Sequence, residues 1–339
     1  MAEHNGVSAV RIDRLDYMDD HVLRAYHTVL VESAGAGRSN PSLWSFEGLK
    51  GYVQNLEHPE STYYYGAYLG DQLVGVASAD ISEGDEGKAE VDLNIEVLPS
   101  YRRQGVATAL YRFIEQKHLK SPYLVCGEIY PPFGQQNTWP GACFVHAIGA
   151  QIVHGEDQML LTAERFHTYL NQNMDVALPA GYRLVSWADA TPEVYRTQFA
   201  ELRTRMEIEV PSGDSAQATH NYSVEDIVAA DERALAEGRR KWVSAAIAPD
   251  GRLAGYTLMY RLQGSDTVEQ DDTYVLGDYR GNGLGLALKI ANHRQLERNG
   301  TDFTGLVSWV DSNNLAMRAI NQQLGYESLE LCQIVEKQG

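Results

Sequence analysis

Two short stretches place glycine between a β-prone run and the start of a helix: Arg102-Arg103-Gln104-Gly105-Val106-Ala107 and Arg280-Gly281-Asn282-Gly283-Leu284-Gly285. In the second, glycines 281, 283 and 285 remove side chains where the helix that follows presents its first free backbone N–H groups. Such a loop, with the helix dipole behind it, binds a pyrophosphate without needing many cationic side chains. Arg280 adds one positive charge at the entrance. In the first stretch Arg102, Gly105 and Ala107 stand in the corresponding places and Thr108 opens the helix. Neither stretch has the spacing of a P-loop or of a dinucleotide-binding glycine fingerprint. A second chemical candidate is the acidic run Glu269-Gln270-Asp271-Asp272 on the strand leading into the second loop. Alternation along a strand puts Glu269 and Asp271 on one face and Gln270 and Asp272 on the other.

The elements that must hold these residues occur twice. Residues 97–110 (VLPSYRRQGVATAL) and 275–288 (VLGDYRGNGLGLAL) align without a gap at an offset of 178 residues, with Val97, Leu98, Tyr101, Arg102, Gly105, Ala109 and Leu110 repeated as Val275, Leu276, Tyr279, Arg280, Gly283, Ala287 and Leu288. A period of about half the chain means duplicated domains and not a solenoid. Ahead of each copy a strand–turn–strand pattern appears, with Gly70-Asp71 and Pro249-Asp250-Gly251 at the turns. Helical patterns precede these at about 21–31 and 192–206; Thr191 is the expected N-cap of the latter, and Ser223 with Asp226 forms a capping box for a helix running to about Glu237. Each half therefore reads as a mixed α/β domain, a central mixed sheet flanked by helices. The expected division is a first domain at 1–173, a linker at 174–180 where Leu178-Pro179-Ala180-Gly181 interrupts the periodicity, and a second domain at 181–339.

The 339-residue chain has 44% hydrophobic residues and a formal charge of −18. A surface this acidic repels a phosphate backbone, which argues against nucleic acid as a partner; the acidity serves solubility or, in a cleft, attracts an amine-bearing cationic substrate. Three scattered cysteines, Cys126, Cys143 and Cys332, make no disulfide framework or metal motif, and the histidines have no metal spacing. No metal is expected. With no apolar run of membrane length and no signal-peptide pattern near Met1, a cytoplasmic location without membrane association is expected.

The twice-matched [Gln/Arg]-x-x-Gly-x-[Gly/Ala] loop resembles the signature of the GNAT superfamily of N-acetyltransferases. Downstream, Asn314, Met317, Asn321, Gly325 and Tyr326 are similar to that family's last helix, with Met317 and Asn321 departing from its pattern. The resemblance covers 182–330 well and 7–158 less completely. It implies two tandem GNAT-type domains and acetyl-CoA as acyl donor. It implies cofactor contacts from Arg102, Arg103, Gln104, Gly105, Val106 and Ala107 in the first half, and from Arg280, Gly281, Asn282, Gly283, Leu284, Gly285 and Asn314 in the second. Val97-Leu98 and Val275-Leu276 would receive the pantetheine arm where the strand splays from its neighbour. A primary amine of a small molecule would attack the thioester directly. Glu269 stands where several family members carry a catalytic glutamate and is the preferred base, with Asp271 as runner-up. Glu90, Asp92, Asn94 and Glu96 line the equivalent strand in the first half and read as a half-exposed strand face. The family's acid tyrosine is replaced by Asn321 and, approximately, Val145; Tyr274, Tyr279 and Tyr326 are nearby but suit packing. The more complete second half is expected to catalyse, with Glu207, Glu209 and Asp214 holding the cation. A homodimer is kept open. The alternative reading is a non-catalytic acyl-CoA-binding or scaffold protein.

Overall fold

The computed structural model describes residues 10–38, 41, 43–84, 87–172, 177–209, 219–299 and 302–339. Among them no helix is long and apolar enough to cross a membrane. The chain forms two compact units, one containing the described residues up to Gly155 together with Glu330–Gly339, the other the described residues from Glu156 to Leu329.

In the first unit, strand β1 (Arg11–Arg14) leads into helices α1 (Asp20–Gly35) and α2 (Phe46–Gln54), followed by strands β2 (Thr62–Leu69), β3 (Gln72–Glu83) and β4 (Ala89–Val97), helix α3 (Val106–His118), strand β5 (Tyr123–Ile129) and helix α4 (Pro140–Ile148). β1 to β4 form an antiparallel meander; β4 and β5 are parallel. The helices take opposite faces of this sheet. Leu23, Tyr26 and Val29 of α1, with Leu49 and Val53 of α2, pack on Tyr64 and Val76. Val106, Leu110, Tyr111 and Ile114 of α3 pack on Tyr65, Ala77, Val91 and Val125. Spacings of three and four residues give each helix a single apolar stripe, and alternation sends Tyr64 and Tyr65 to opposite layers. The far edge of β5 is covered, antiparallel, by Gln333–Gln338 of strand β12 (Glu327–Gln338).

The second unit repeats the plan. Strand β7 (Arg183–Ala188) precedes helices α6 (Glu193–Glu209) and α7 (Val224–Ala236), strands β8 (Arg240–Ile247), β9 (Leu253–Arg261) and β10 (Thr267–Val275), helix α8 (Leu284–Arg298), strand β11 (Gly305–Asp311) and helix α9 (Leu315–Gln323). α6 and α7 pack on one face through Phe199, Leu202 and Ile227. α8 packs on the other, beside α5 (Ala163–Asn171), through Ile290, Leu296 and Phe166. The far edge of β11 is covered by Glu156–Thr162 of strand β6 (Gln151–Thr162). Residues 156–172, read from the sequence as the end of the first domain, thus belong to the second unit, because that stretch of β6 finds its hydrogen-bond partner in β11.

Local signals behave unevenly. The Ser223–Asp226 capping box forms in both directions, at 3.1 and 2.7 Å. Thr191 does not cap α6. Its N–H donates to Asp231 Oδ2 at 2.6 Å, its buried hydroxyl has no partner among the described residues, and the helix begins at Glu193.

Candidate acyl-CoA site

β4 and β5 pair only from Ala89–Tyr123 to Asp92–Cys126 and then part. Leu98 N–H donates to Val74 O of β3 at 3.0 Å, and Ala89 N–H donates to Pro122 O on the β5 side. Alternation therefore turns the N–H and C=O groups of Leu93, Ile95 and Val97 toward the opening and those of even-numbered residues toward β3. Leu98, expected to meet a pantetheine arm, is directed the other way. Gly127 sits where the strands separate: a Cβ there would lie 2.8 Å from Leu93 O.

The loop follows a single turn at Pro99–Tyr101. Arg102 Nε donates to Val97 O at 3.0 Å and its Nη2 donates to Ser33 O of α1 at 2.7 Å, so this arginine ties strand end to loop and helix. Arg103 has φ 63°, a left-handed backbone that costs a side-chain-bearing residue ~1–2 kcal/mol. Gln104 is exposed and donates to Ser100 O. Gly105, φ 83°, is the N-cap of α3 and supplies no capping side chain. The first intrahelical bond runs from Ala109 N–H to Gly105 O at 2.9 Å, leaving the N–H groups of Val106, Ala107 and Thr108 without partners inside the helix. Nothing would stand within 4 Å of a Cβ at Gly105, so the approach to these donors is open. That fits a pyrophosphate.

A cavity of about 330 Å³ joins this helix start to the splayed strands. Arg102, Arg103, Gly105, Val106 and Ala107 line it, as does Val97. So do side chains that no sequence spacing connects to the loop. Ser33 Oγ donates to Glu96 Oε2 at 2.5 Å beneath the end of β4. Burial pushes the Glu96 carboxyl above the ordinary carboxylate range, while the Ser33 hydroxyl and the Arg102 and Arg38 guanidiniums act the other way. Glu96 is therefore no solvated strand position; α1 covers it. Trp139 is the N-cap of α4, and a Cβ on Gly37 would come within 2.9 Å of its ring. Tyr130 OH donates to Glu128. Ser33 and Arg38 sit far from the loop in sequence, on or just beyond α1, and carry no motif; Trp139 follows a Pro131-Pro132-Phe133-Gly134 stretch between β5 and α4.

The second loop repeats the backbone. Gly281 and Gly283 have φ 78° and 72°, and Gly283 caps α8. Arg280 Nε donates to Val275 O at 2.8 Å, matching Arg102 on Val97, and its remaining charge pairs with Glu209 at 2.9 Å. Asn282 donates to Tyr279 O, Leu284 is buried, and Gly285 faces Ile320 of α9, whose Cδ1 would lie 3.2 Å from an added Cβ. Leu276 N–H donates to Ala254 O of β9, so it too turns from the opening. Asn314 caps α9 by accepting from Met317 N–H at 3.1 Å. β10 and β11 pair from Thr267–Gly305 to Gln270–Ser308. Glu269 lies within this paired stretch. A bulge between Gln270 and Thr273 then breaks the alternation. Asp272 turns inward to Arg203 at 3.1 Å and Tyr256 OH at 2.8 Å, and Asp271 is exposed. Desolvation and then the Asp272 and Glu269 carboxylates raise the Asp271 carboxyl. Because Asp271 is exposed, the crowding of carboxylates is the cause the geometry supports better. Glu207 accepts from Tyr222 OH at 3.3 Å; Asp214 lies outside the described residues.

The acid-tyrosine positions hold Val145, the buried residue of α4, and Asn321, buried against Lys289 Nζ at 2.8 Å and Ser308. Tyr279 donates to Asp250 in the β8–β9 turn, and Tyr326 packs in the core beside His293. Among the described residues no cluster of three or more His, Cys, Asp or Glu side chains is arranged to hold a metal ion.

Residues 25–126, all in the first unit, match the family model of the acetyltransferase (GNAT) family. No curated protein matches the sequence. Among solved structures the chain is similar to a tandem GNAT protein from the clavulanic acid biosynthesis pathway, at 23% identity and a TM-score of 0.79 over 97% of this chain and 98% of that one. It is similar to a GCN5-related N-acetyltransferase from Sphaerobacter thermophilus, at 16% identity and TM-score 0.65 over 97% and 95%. It is also similar to the N-myristoyltransferase of Saccharomyces cerevisiae, at 12% identity and TM-score 0.59 over 97% and 79%. At these identities the structural likeness speaks for the fold. The chain has the tandem GNAT fold, and its residues 25–126 match the model of the acetyltransferase (GNAT) family.

Proposed function

We propose that this protein transfers an acetyl group from acetyl-CoA to the primary amine of a small molecule by direct attack, with the donor held in the first unit. The observation that carries this reading is the cavity joining the unpartnered N–H groups at the start of α3 to the free edge of β4. The donor supplies an activated thioester carbonyl. Val106, Ala107 and Thr108 hold its pyrophosphate through their N–H groups, and Arg103 adds charge beside them. The edge groups of Leu93 and Ile95 bind the pantetheine arm as a further strand would, and an N–H on this edge polarises the carbonyl oxygen. Glu96 accepts the proton of the acceptor ammonium: burial raises its affinity for a proton, the direction a base requires. Departure of a thiolate, with an ordinary thiol pKa of about 8.5, needs little help, so the absence of tyrosine at Val145 leaves the reaction class intact.

A second reading keeps catalysis in the second unit, with Glu269 as base and Asp271 as runner-up. The bulge favours it, since it turns Asp271 out of the ladder beside two other carboxylates.

Free-thiol release from acetyl-CoA across a panel of primary amines tests the activity; donor binding without acylation of any amine would leave the non-catalytic acyl-CoA-binding reading. Gly105→Glu and Gly283→Glu then assign the unit. Each forces a side chain onto a left-handed residue and a carboxylate onto a phosphate site. Loss of turnover in Gly105→Glu places the productive loop in the first unit; loss only in Gly283→Glu places it in the second.

A further inference from the structure

Arg38 stands just past the end of α1, and its side chain is 8% exposed where it lines the cavity. Its guanidinium lies over the Tyr130 ring at 4.1 Å. Nε and Nη2 both donate to one oxygen of Glu330, at 2.9 and 2.5 Å, and the Glu330 side chain is itself only 3% exposed. The other Glu330 oxygen is buried with no hydrogen-bond partner among the described residues. The pair is thus a one-oxygen contact and not a two-oxygen fork. It fixes the guanidinium in place through two N–H donors, while three have no hydrogen-bond partner among the described residues. A rigid, buried guanidinium with donors left over, set in a cavity wall, suits a carboxylate arriving from inside the cavity. The same cavity presents acids to a cation: Glu96 and Glu128 line it together with Arg38. Opposite charges on the walls of one small cavity complement a molecule that carries both signs.

We infer that the acceptor is an amino acid or a close relative, its ammonium turned to Glu96 and its carboxylate bound by Arg38. The inference rests on acyl transfer to an amine in the first unit and narrows the class of that amine. An acceptor lacking the carboxylate would fill the cavity and leave Arg38 donors without water or partner, which disfavours it by ~10- to 100-fold, the usual weight of a charge-assisted hydrogen bond.

The test compares matched acceptors with the full-length protein: a series of amino acids, their primary amides, and the amines left by removing the carboxyl group. We expect kcat/KM for amino acids to exceed that of both partner sets by tenfold or more. In Arg38→Lys, and in Arg38→Gln combined with Glu330→Gln so that a neutral hydrogen-bonded pair replaces the ion pair, that ratio should collapse toward one, with the KM for amino acids rising. A merely structural role for Arg38 would not move the ratio. Equal rates for amino acids and their amides in the unaltered protein would overturn the inference. So would variants that raise the KM for acetyl-CoA and keep the ratio, since Arg38 would then serve a donor phosphate. Acetyl-CoA binding without acylation of any amine would overturn the underlying reaction itself, an outcome distinct from amine acylation without selectivity.

Discussion

Lys289 is 1% exposed in the second unit, with Asn321 Oδ1 as its hydrogen-bond acceptor and the Tyr326 ring at 5.7 Å. Burial pulls its amine down to about 7, against an ordinary value near 10.4. Between those values the unfolded chain holds a proton that the folded chain does not, so stability rises with pH through that window and the effect is flat below it. We expect the unfolding free energy of the unaltered protein to gain about 2 kcal/mol relative to Lys289→Met between pH 7 and 9, read from urea denaturation at a series of pH values. Nothing in Leu288-Lys289-Ile290 marks this lysine as buried, because one basic residue in an amphipathic helix reads as its wet face. The glycines were legible for the opposite reason. Gly105, Gly281 and Gly283 adopt positive φ, a local demand that writes itself into residue type. Arg103 breaks that rule where its counterpart Gly281 keeps it, and it lines the cavity. A strained backbone retained beneath a long cationic side chain fits a binding role.

At the scale of elements, the strand before each loop ends opposite a glycine: Gly75 faces Val97 and Gly255 faces Val275. A Cβ on Gly75 would come within 2.9 Å of Val106, the first residue of α3. One on Gly255 would meet Tyr274 O at 2.5 Å. These glycines let the neighbouring strand approach closely where the chain leaves the sheet. Gly255→Ala should destabilise the protein by ~1–3 kcal/mol, the usual effect of overpacking, measured by chemical denaturation. Hairpin turns, the capping box and both loop–helix junctions were readable because their bonds are short in sequence. The bulge in β10 was not, so strict alternation mispaired the acids: Asp272, and not Asp271, turns inward to Arg203. Thr191 does not cap: its hydroxyl accepts from none of the described N–H groups, and its own N–H is held by Asp231, forty positions away.

For the molecule as a whole, the duplication was plain from the 178-residue offset, whereas the make-up of each unit was not. Each sheet gains its outer strand from a segment whose alternation suits either sheet edge, and only the pairing decides. Residues 333–338 cover β5, and residues 156–162 cover β11. A polypeptide of residues 1–180 therefore leaves β5 as an open edge and lacks Glu330. It should elute as aggregate in size-exclusion chromatography, and fusing residues 330–338 behind it should restore a discrete, cooperatively unfolding species. The bond between Arg38 and Glu330 spans 292 residues. During synthesis the first unit's loop, helix and strands emerge early, yet the carboxylate that steadies the cavity wall leaves the ribosome only after the whole second unit. A chain terminated within the second unit thus has the first glycine loop and Arg38 but lacks the carboxylate that holds that guanidinium in place.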